Sequence, residues 1–414
     1  MAKTKNTNSL IAIVFVLFLL LGGAIYYLSG SRLGKCDNKT EDERVRCLKE
    51  NIDKFLDKKD IAGALYYLKD FQEAQQDITA DCHALAHYIG EKAVPIIAQG
   101  VELEDADAGS ICSHGFYHAF MASFNRLDKL PKAREFCDSL KSKEHGAKLN
   151  CYHGIGHGAT FTAVEEFGIK DTEELVYSVR ELCANTLEND LPKVYWCLDG
   201  LYSGLMDTAR KDVYPDFVLL ENPYDMCLSE SEEEYKRLCY YDLGTYVVRR
   251  PGQEINPEDE EPFSYFVAST IRSPNVIYKR DAIKGLGASY FLRREKDQKR
   301  IDDAITYCQA LPFEHKRACI EGMVWGIAEI PASGYHFEEA SKLCDNGLFK
   351  EEERDICYLE IITKLGSIYS LEETIAYCNG FDKELYKNTC LEAYENYEVS
   401  SAVNQELPTS YYAD

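Results

Sequence analysis

The sequence predicts an all-α protein, an α-solenoid of disulfide-stapled helical hairpins that follows one N-terminal transmembrane helix. Three observations lead to this prediction: an apolar run near the amino terminus, sixteen cysteines at regular local spacings, and a recurring cysteine–glycine motif. The composition, 45% hydrophobic and 12% aromatic, is that of a folded protein. A net charge of −24 excludes nucleic acid as the expected partner, because an acidic surface repels phosphates.

The first thirty residues predict a membrane anchor. Lys3 and Lys5 lie in residues 1–9, and residues 10–29 then form an uncharged, almost wholly apolar run that is long enough to cross a bilayer as one helix. Lysines before the span favour a cytoplasmic amino terminus, with the bulk of the chain outside the cytoplasm. A cleaved signal peptide is the competing interpretation, but its apolar region is usually shorter and ends in small residues. We therefore expect a single-pass protein of the cell membrane.

The cysteines predict a disulfide framework, because their number is even and the expected compartment is oxidising. Fourteen of them form neighbouring pairs, eleven to fourteen positions apart. These pairs are Cys36 and Cys47, Cys137 and Cys151, Cys183 and Cys197, Cys227 and Cys239, Cys308 and Cys319, Cys344 and Cys357, and Cys378 and Cys390. Cys82 and Cys112 are left over. An eighth disulfide is favoured for them, and thiolate ligands of a soft metal are the alternative.

A motif begins at the second cysteine of these pairs. Residues 151–158 read CYHGIGHG, and C-x-x-G recurs at positions 112, 197 and 319, while AIKGLGAS at 282 has Ala282 in place of the cysteine. The units at Cys239, Cys357 and Cys390 keep the cysteine and lack the glycine. With them, the units from position 112 onward are 33 to 46 residues apart, which is typical of helical-hairpin solenoids. Each unit predicts a helix A, a polar turn and a helix B, with the disulfide joining the end of helix A to the first turn of helix B. This general shape resembles the tetratricopeptide repeat, whose consensus residues are absent.

The glycine of the motif predicts close packing of helices. Glycine inside a helix costs about 1 kcal/mol relative to alanine, so its recurrence needs a structural reason. Close approach of a neighbouring backbone is the expected one. The glycines concerned are Gly115, Gly154, Gly200, Gly285 and Gly322.

Six of the nine histidines form three pairs, each just behind a cysteine and each separated by four positions. This spacing places two imidazoles on one helix face, within reach of one ion. The pairs are His83 and His87, His114 and His118, and His153 and His157. Because equivalent positions of successive helices line one wall of a solenoid, we expect the six imidazoles to converge.

These residues predict a transition-metal site. Imidazole suits copper, zinc and iron, and haem held by two imidazoles is the less favoured alternative. Glu91 continues the face of His83 and His87, and Asp199 lies at the equivalent position of a later repeat. Each could supply an oxygen ligand or hold a histidine ring from the outer shell. No reaction is assigned, since hydrolytic nucleophile motifs and phosphate-binding loops are absent.

Two other interpretations of the histidines stay open. A structural hydrogen-bond ladder could have been copied by duplication, or the rings could form a pH-responsive interface. With structural histidines, the chain is an extracytoplasmic protein–protein interaction scaffold that binds a protein or peptide partner on its concave face.

The expected organisation places histidine-containing repeats in residues 30–205 and further helical repeats in 206–399. An acidic, proline-containing loop interrupts the second set at 249–263, and residues 400–414 form a mobile tail. The polar stripe of the histidines continues along the second set with other residue types. Its members are Tyr241 and Thr245, Lys284 and Ala288, and Glu321 and Trp325.

Overall fold

The computed structural model describes most of the chain after the predicted membrane segment. The described residues are 36, 40–74, 79–103, 105–112, 115–125, 130–140, 146–208, 224–247, 275–292, 298–329, 336–368 and 371–395. Within these ranges every regular element is a helix, which confirms the all-α prediction. None of the helices found there is both long and apolar enough to cross a membrane. The predicted anchor, the acidic loop and the C-terminal tail lie outside the described residues.

The chain divides into two compact units, Met1–Lys58 and Lys59–Asp414. The first contains helix α1, Glu41–Leu56. Its first turn is stabilised by a carboxylate, because Glu43 accepts a hydrogen bond from the backbone amide of Thr40 at 3.4 Å. The Cys36–Cys47 disulfide joins α1 to the residue in a bend before it. This bridge therefore lies at one helix and does not join two helices of a hairpin.

The second unit contains the repeats. Its helices are α2 Ile61–Ala74, α3 Thr79–Ala98, α4 Gly115–Asn125, α5 Leu130–Ser139, α6 Gly146–Glu165, α7 Thr172–Thr186, α8 Leu191–Thr208, α9 Tyr224–Leu228, α10 Glu233–Val247, α11 Val276–Leu292, α12 Gln298–Ala310, α13 Phe313–Glu329, α14 His336–Cys344, α15 Glu351–Ile368, α16 Leu371–Gly380 and α17 Glu384–Glu395. A short 3-10 helix, Asp107–Ser110, precedes α4. The helices that carry the motif position are called the B helices here. They are α3, α4, α6, α8, α10, α11, α13, α15 and α17, and each packs against the next in this order.

All eight expected disulfides are present, with Cα–Cα separations of 5.4 to 5.8 Å. Six of them join a helix A to the following B helix. The prediction that the second cysteine lies in the first turn of helix B was wrong. Cys151, for example, lies in the second turn of α6, because that helix already begins at Gly146. Residues 146–148, the end of the predicted polar turn, form the helix start instead.

Glycine brings neighbouring B helices into backbone contact. A Cβ atom added to Gly200 of α8 would lie 1.8 Å from the carbonyl oxygen of His153 in α6. One added to Gly154 of α6 would lie 2.6 Å from the carbonyl oxygen of Tyr117 in α4. The same crowding occurs at Gly285 and Gly322 in later repeats. The predicted reason for these four glycines is therefore confirmed, since no side chain fits at such a distance.

A buried polar contact joins adjacent repeats on another face of α8. The hydroxyl of Tyr202 donates to Glu230 at 2.6 Å, and the guanidinium of Arg180 lies 3.4 Å from the same carboxylate. Burial, and then the Glu230 charge, raises the pKa of Tyr202 well above its ordinary value. The phenol therefore stays protonated and acts as the donor.

Candidate metal centre

Four of the six paired histidines lie side by side. The ring centroid of His118 on α4 is 5.7 Å from that of His87 on α3. It is 4.8 Å from the ring of His153 and 4.4 Å from the ring of His157, both on α6. We call these four residues the histidine cluster. The structure thus brings together imidazoles from three consecutive B helices.

The other two paired histidines are described less fully. His83 belongs to α3, one turn before His87, but its side chain lies outside the described part of the molecule. His114 itself lies outside the described residues, just before α4 begins at Gly115. Since positions four apart share a helix face, the backbone of α3 places His83 on the same face as His87.

Glycines explain why the rings of α4 and α6 come so close. Besides Gly154, Gly158 of α6 faces α4, and a Cβ atom there would lie 2.5 Å from the backbone nitrogen of Ala122. Gly156 faces the opposite neighbour, with its added Cβ 1.7 Å from the carbonyl oxygen of Cys197 in α8. Helix α6 therefore has small residues toward both neighbours. Its two histidines lie between helices whose backbones nearly touch.

The rings stack and are largely withdrawn from solvent. His118 is nearly parallel to His157, with an interplanar angle of 15°, and it is tilted by 28° from His153. His118 and His157 are only 8% and 3% exposed. The side chains of His153 and Asp199 keep exposures of 14% and 19%. Solvent or a ligand would therefore reach the histidine cluster at His153 or at His87, which is also only partly buried.

Asp199 holds one edge of His153. Its Oδ2 atom lies 2.5 Å from Nδ1 of the ring, so this nitrogen carries the hydrogen and donates it to the carboxylate. On the other edge, Oγ of Ser203 lies 3.2 Å from Nε2. The same hydroxyl donates to the backbone carbonyl oxygen of Gly200 at 3.2 Å. Its oxygen lies in the position that a metal ion bound to Nε2 would take. Asp199 has the geometry of an outer-shell partner, and the carboxylate–histidine pair resembles the arrangement found around metal-bound histidines.

Glu91 has a different position. It lies on α3, one turn beyond His87, and its side chain is exposed. An exposed carboxylate is well solvated and gains little from partnership with a buried ring.

Cys82 and Cys112 form a disulfide beside the histidine cluster. It joins the beginning of α3 to the residue three positions before α4, and no free cysteine is present. These sulfur atoms are therefore bonded to each other and are not available as thiolate ligands. The bridge ties together the two helices that carry His87 and His118.

Among the side chains that the structure describes, no group of three or more histidine, cysteine, aspartate or glutamate residues has the arrangement of a metal site. The rings of His118, His153 and His157 stack and that of His87 meets His118 edge-on, whereas ligands of one ion direct their nitrogen lone pairs toward a common point. Side-chain rotation about χ1 and χ2 would be required to change the first arrangement into the second.

Sequence reasoning missed several residues that shape these surfaces. It did not single out Gly156 or Gly158, although GxGxG in the motif at 154–158 was a visible signal of packing on two sides. It also missed Glu360 and Lys364 of α15, which contact Trp325. The predicted stripe uses the second and sixth positions after each cysteine, whereas Glu360 and Lys364 are the third and seventh residues after Cys357. The predicted stripe therefore did not include them.

No family model matches the chain, and no curated protein or solved structure is detectably similar to it.

Proposed function

We propose that the protein is a membrane-anchored, extracytoplasmic α-solenoid that binds a transition-metal ion through the histidine cluster, with copper, zinc and iron as the candidate ions. The observation that carries this proposal is the convergence of His87, His118, His153 and His157 from three helices. Imidazoles bound to one ion at about 2.1 Å through nitrogen have ring centroids roughly 5 Å apart. The ring of His118 lies 4.4 to 5.7 Å from the other three rings, and those of His153 and His157 lie 6.0 Å apart, which is close to this value.

The surroundings support the same proposal. Asp199 holds Nδ1 of His153 and directs the lone pair of the ring to Nε2, which is the usual way to prepare a histidine ligand. Low exposure of His118 and His157 excludes water that would compete for an ion. His83 and His114 are the additional ligands that we expect from the spacing of their pairs.

The disulfides support the proposed location. Eight bridges with no free cysteine are typical of a protein that folds in an oxidising compartment, and they are rare in the cytosol. Export agrees with the apolar run at residues 10–29, for which we retain the proposal of a single membrane span. The successive packing of the B helices supports a solenoid, because each repeat contacts mainly its neighbours.

A second candidate is a protein–protein interaction scaffold with structural histidines. One observation favours it: both ring nitrogens of His153 already have hydrogen-bond partners, in Asp199 and Ser203. A metal would have to displace the serine hydroxyl. The scaffold candidate therefore predicts that the cluster keeps its stacked arrangement in the presence of metal ions.

Metal analysis of the full chain separates the two candidates. The protein is produced through a secretory route, purified without a histidine tag, and exposed in turn to copper, zinc and ferrous ions before elemental analysis. We expect a stoichiometric ion in the unsubstituted protein and its loss in His118→Phe, which keeps a stacked ring but removes both nitrogens. His315→Phe, on α13 and outside the cluster, is the matched control and should retain the ion. A metal-free protein after all three exposures would favour the scaffold.

A further inference from the structure

Asp199, His153 and Ser203 lie in a row of three polar side chains. Oδ2 of Asp199 is 2.5 Å from Nδ1 of His153, and Oγ of Ser203 is 3.2 Å from Nε2 on the other edge of the ring. A serine within hydrogen-bond reach of an imidazole, which is in turn oriented by a carboxylate, is the arrangement that activates a hydroxyl group as a nucleophile. These three groups recur on unrelated folds, so they are recognised by geometry and not by a sequence motif. We call the three residues the serine triad.

Helix geometry and one glycine bring the triad together. Asp199 and Ser203 lie four positions apart on α8, so they share one face of that helix. His153 reaches this face from α6, because a Cβ atom added to Gly200 would lie only 1.8 Å from the carbonyl oxygen of His153. A larger residue at position 200 would move α8 away from the ring. The triad therefore depends on the close packing of two B helices.

The ring of His153 is oriented by two neighbours. The carboxylate of Asp199 accepts the hydrogen of Nδ1, which leaves the lone pair of the neutral ring on Nε2. The ring of His118 stacks on one face, with the centroids 4.8 Å apart and the planes inclined by 28°. The side chain of His153 is 14% exposed, and Ser203 is only partly buried. The imidazole is thus held in place beside a hydroxyl group that small molecules can reach.

The hydroxyl hydrogen of Ser203 has two acceptors at the same distance. Oγ lies 3.2 Å from Nε2 of His153 and 3.2 Å from the backbone carbonyl oxygen of Gly200. Rotation about the Cβ–Oγ bond moves the hydrogen from one acceptor to the other without any movement of heavy atoms. When the hydrogen points to Nε2, His153 can take up the proton as Oγ forms a new bond.

We propose that Ser203 is the nucleophile of an acyl-transfer site, with His153 as the general base and Asp199 as the positioning residue. Oγ of Ser203 attacks the carbonyl carbon of an ester, and the hydroxyl proton passes to Nε2 of His153. The bond between that carbon and the leaving oxygen then breaks, and the proton passes from His153 to the leaving oxygen. The products are acyl-Ser203 and an alcohol. Water then attacks the acyl group with the same assistance from His153, which releases a carboxylic acid and restores the hydroxyl.

The position of Ser203 inside a helix restricts the esters that suit this site. Backbone amides inside α8 donate to carbonyl oxygens four residues earlier, so they are not available to stabilise the oxyanion of a tetrahedral intermediate. Esters whose leaving group is a stable anion, such as aryl esters, need this stabilisation least. The net charge of −24 and the carboxylate of Asp199 also disfavour an acyl group with a negative charge. The expected substrates are therefore small, uncharged esters with a good leaving group.

This inference goes beyond metal binding and does not rest on it. An ion bound to Nε2 of His153 would occupy the lone pair that accepts the proton, so the acyl transfer belongs to the metal-free protein. The test uses the full chain after treatment with a chelator. Its outcome is therefore independent of whether the histidine cluster binds an ion.

Two probes test the reactivity of Ser203. With a fluorophosphonate, Oγ of Ser203 displaces fluoride from phosphorus, and peptide mass spectrometry locates the adduct. We expect the adduct on Ser203 to form at least roughly 100-fold faster than on Ser229, because a general base contributes at least about this factor. Ser229 is the internal reference, since its hydroxyl donates to the carbonyl oxygen of Met226 at 2.6 Å. With p-nitrophenyl acetate we expect release of p-nitrophenolate.

Variants assign the roles within the triad. Ser203→Ala should abolish the adduct and the release of p-nitrophenolate, whereas Ser229→Ala should leave both unchanged. His153→Phe keeps a ring that can stack on His118 but removes both nitrogens, and it should slow labelling at least tenfold. Asp199→Asn should lower the maximal rate of labelling but not the probe concentration that gives half of it, because Asp199 does not touch the probe. Absence of an adduct on Ser203 in the unsubstituted chain, or equal labelling rates with and without His153, would overturn the proposal.

Discussion

At the scale of single residues, Asp199 decides which nitrogen of His153 can act as an acceptor. A carboxylate only accepts hydrogen bonds, so its contact with Nδ1 fixes the tautomer with a lone pair on Nε2. The hydroxyl oxygen of Ser203 lies 3.2 Å from Nε2, in the position that an ion would take. Helix α8 therefore carries both Asp199, which fixes the tautomer of His153, and Ser203, which lies beside its Nε2 atom.

Substitutions of Asp199 and of Ser203 should affect metal binding differently. Asp199→Asn removes the negative charge and should weaken binding by about 10- to 100-fold, as is usual for outer-shell partners. Ser203→Ala removes the competitor and should leave affinity unchanged or increase it. Competition titration with a chelating dye measures both, and Asp382→Asn, at an exposed aspartate between α16 and α17, is the control. Equal affinity in Asp199→Asn and the unsubstituted protein would contradict the role given to Asp199.

Gly200 is the residue whose replacement should most directly disturb the histidine cluster. Its added Cβ would lie 1.8 Å from the carbonyl oxygen of His153 and 2.8 Å from the backbone nitrogen of His157. Backbone atoms cannot rotate away, so α8 must move away from α6. We expect Gly200→Ala to lower the free energy of unfolding by about 1–3 kcal/mol in urea denaturation.

Gly380 provides the comparison for this prediction. It ends α16, and an added Cβ there would meet no atom within 4 Å. Gly380→Ala should therefore leave stability unchanged or raise it slightly, because alanine favours the helix. Equal stabilities of the two variants would show that the B helices can separate at no cost.

At the scale of the helical elements, the disulfides and the glycines connect different pairs of helices. A disulfide joins helix A to helix B within one repeat, whereas the glycines join one B helix to the next. The Cys82–Cys112 bridge is different, since it joins the start of α3 to the residue near the start of α4 and so links two B helices. Each local bridge should therefore stabilise its own hairpin.

Removal of one bridge tests this local effect. Cys183→Ala combined with Cys197→Ala opens a loop of 14 residues between α7 and α8, with an expected cost of about 3 kcal/mol. Because repeats contact mainly their neighbours, amide hydrogen exchange should accelerate in α7, α8 and adjoining helices. Exchange in α15 to α17 should stay as in the unsubstituted protein. A uniform acceleration throughout would indicate one cooperative unit instead.

At the scale of the whole molecule, the charge and the cysteines agree with an exported protein. Seventy acidic residues against forty-six basic ones give a well-solvated surface, and all sixteen cysteines are bridged. Neither feature depends on the metal proposal.

The proposed membrane span predicts the topology of the full chain. After expression in a host with a secretory pathway, the protein should stay in the membrane fraction during an alkaline carbonate wash. A protease added from the extracytoplasmic side should digest the region after residue 30 while a tag before residue 10 stays protected. Release of the protein by the wash, with residues 1–30 missing, would favour the cleaved signal peptide.

Much of the fold was predictable because its signals are local in sequence. Cysteines eleven to fourteen positions apart can be bridged only within a short local segment, which is a helical hairpin for six of the seven such pairs. A glycine repeated at one phase of a helix indicates a close neighbour. The starts of the B helices were less predictable. Residues such as Gly146 and Lys148 suit either a turn or the first turn of a helix, so the boundary was placed too late.

The sequence by itself determined the all-helical class and the seven local cysteine pairs, and it placed His153 and His157 on one helix face. Only the tertiary structure decided that the rings of His118 and His157 stack 4.4 Å apart, that Asp199 and Ser203 hold His153, and that Glu360 meets Lys284 across repeats. The reason is geometric. Contacts within a hairpin depend on a few residues of chain, whereas contacts between B helices depend on how closely glycine lets the backbones approach and on the rotamers that fit between them.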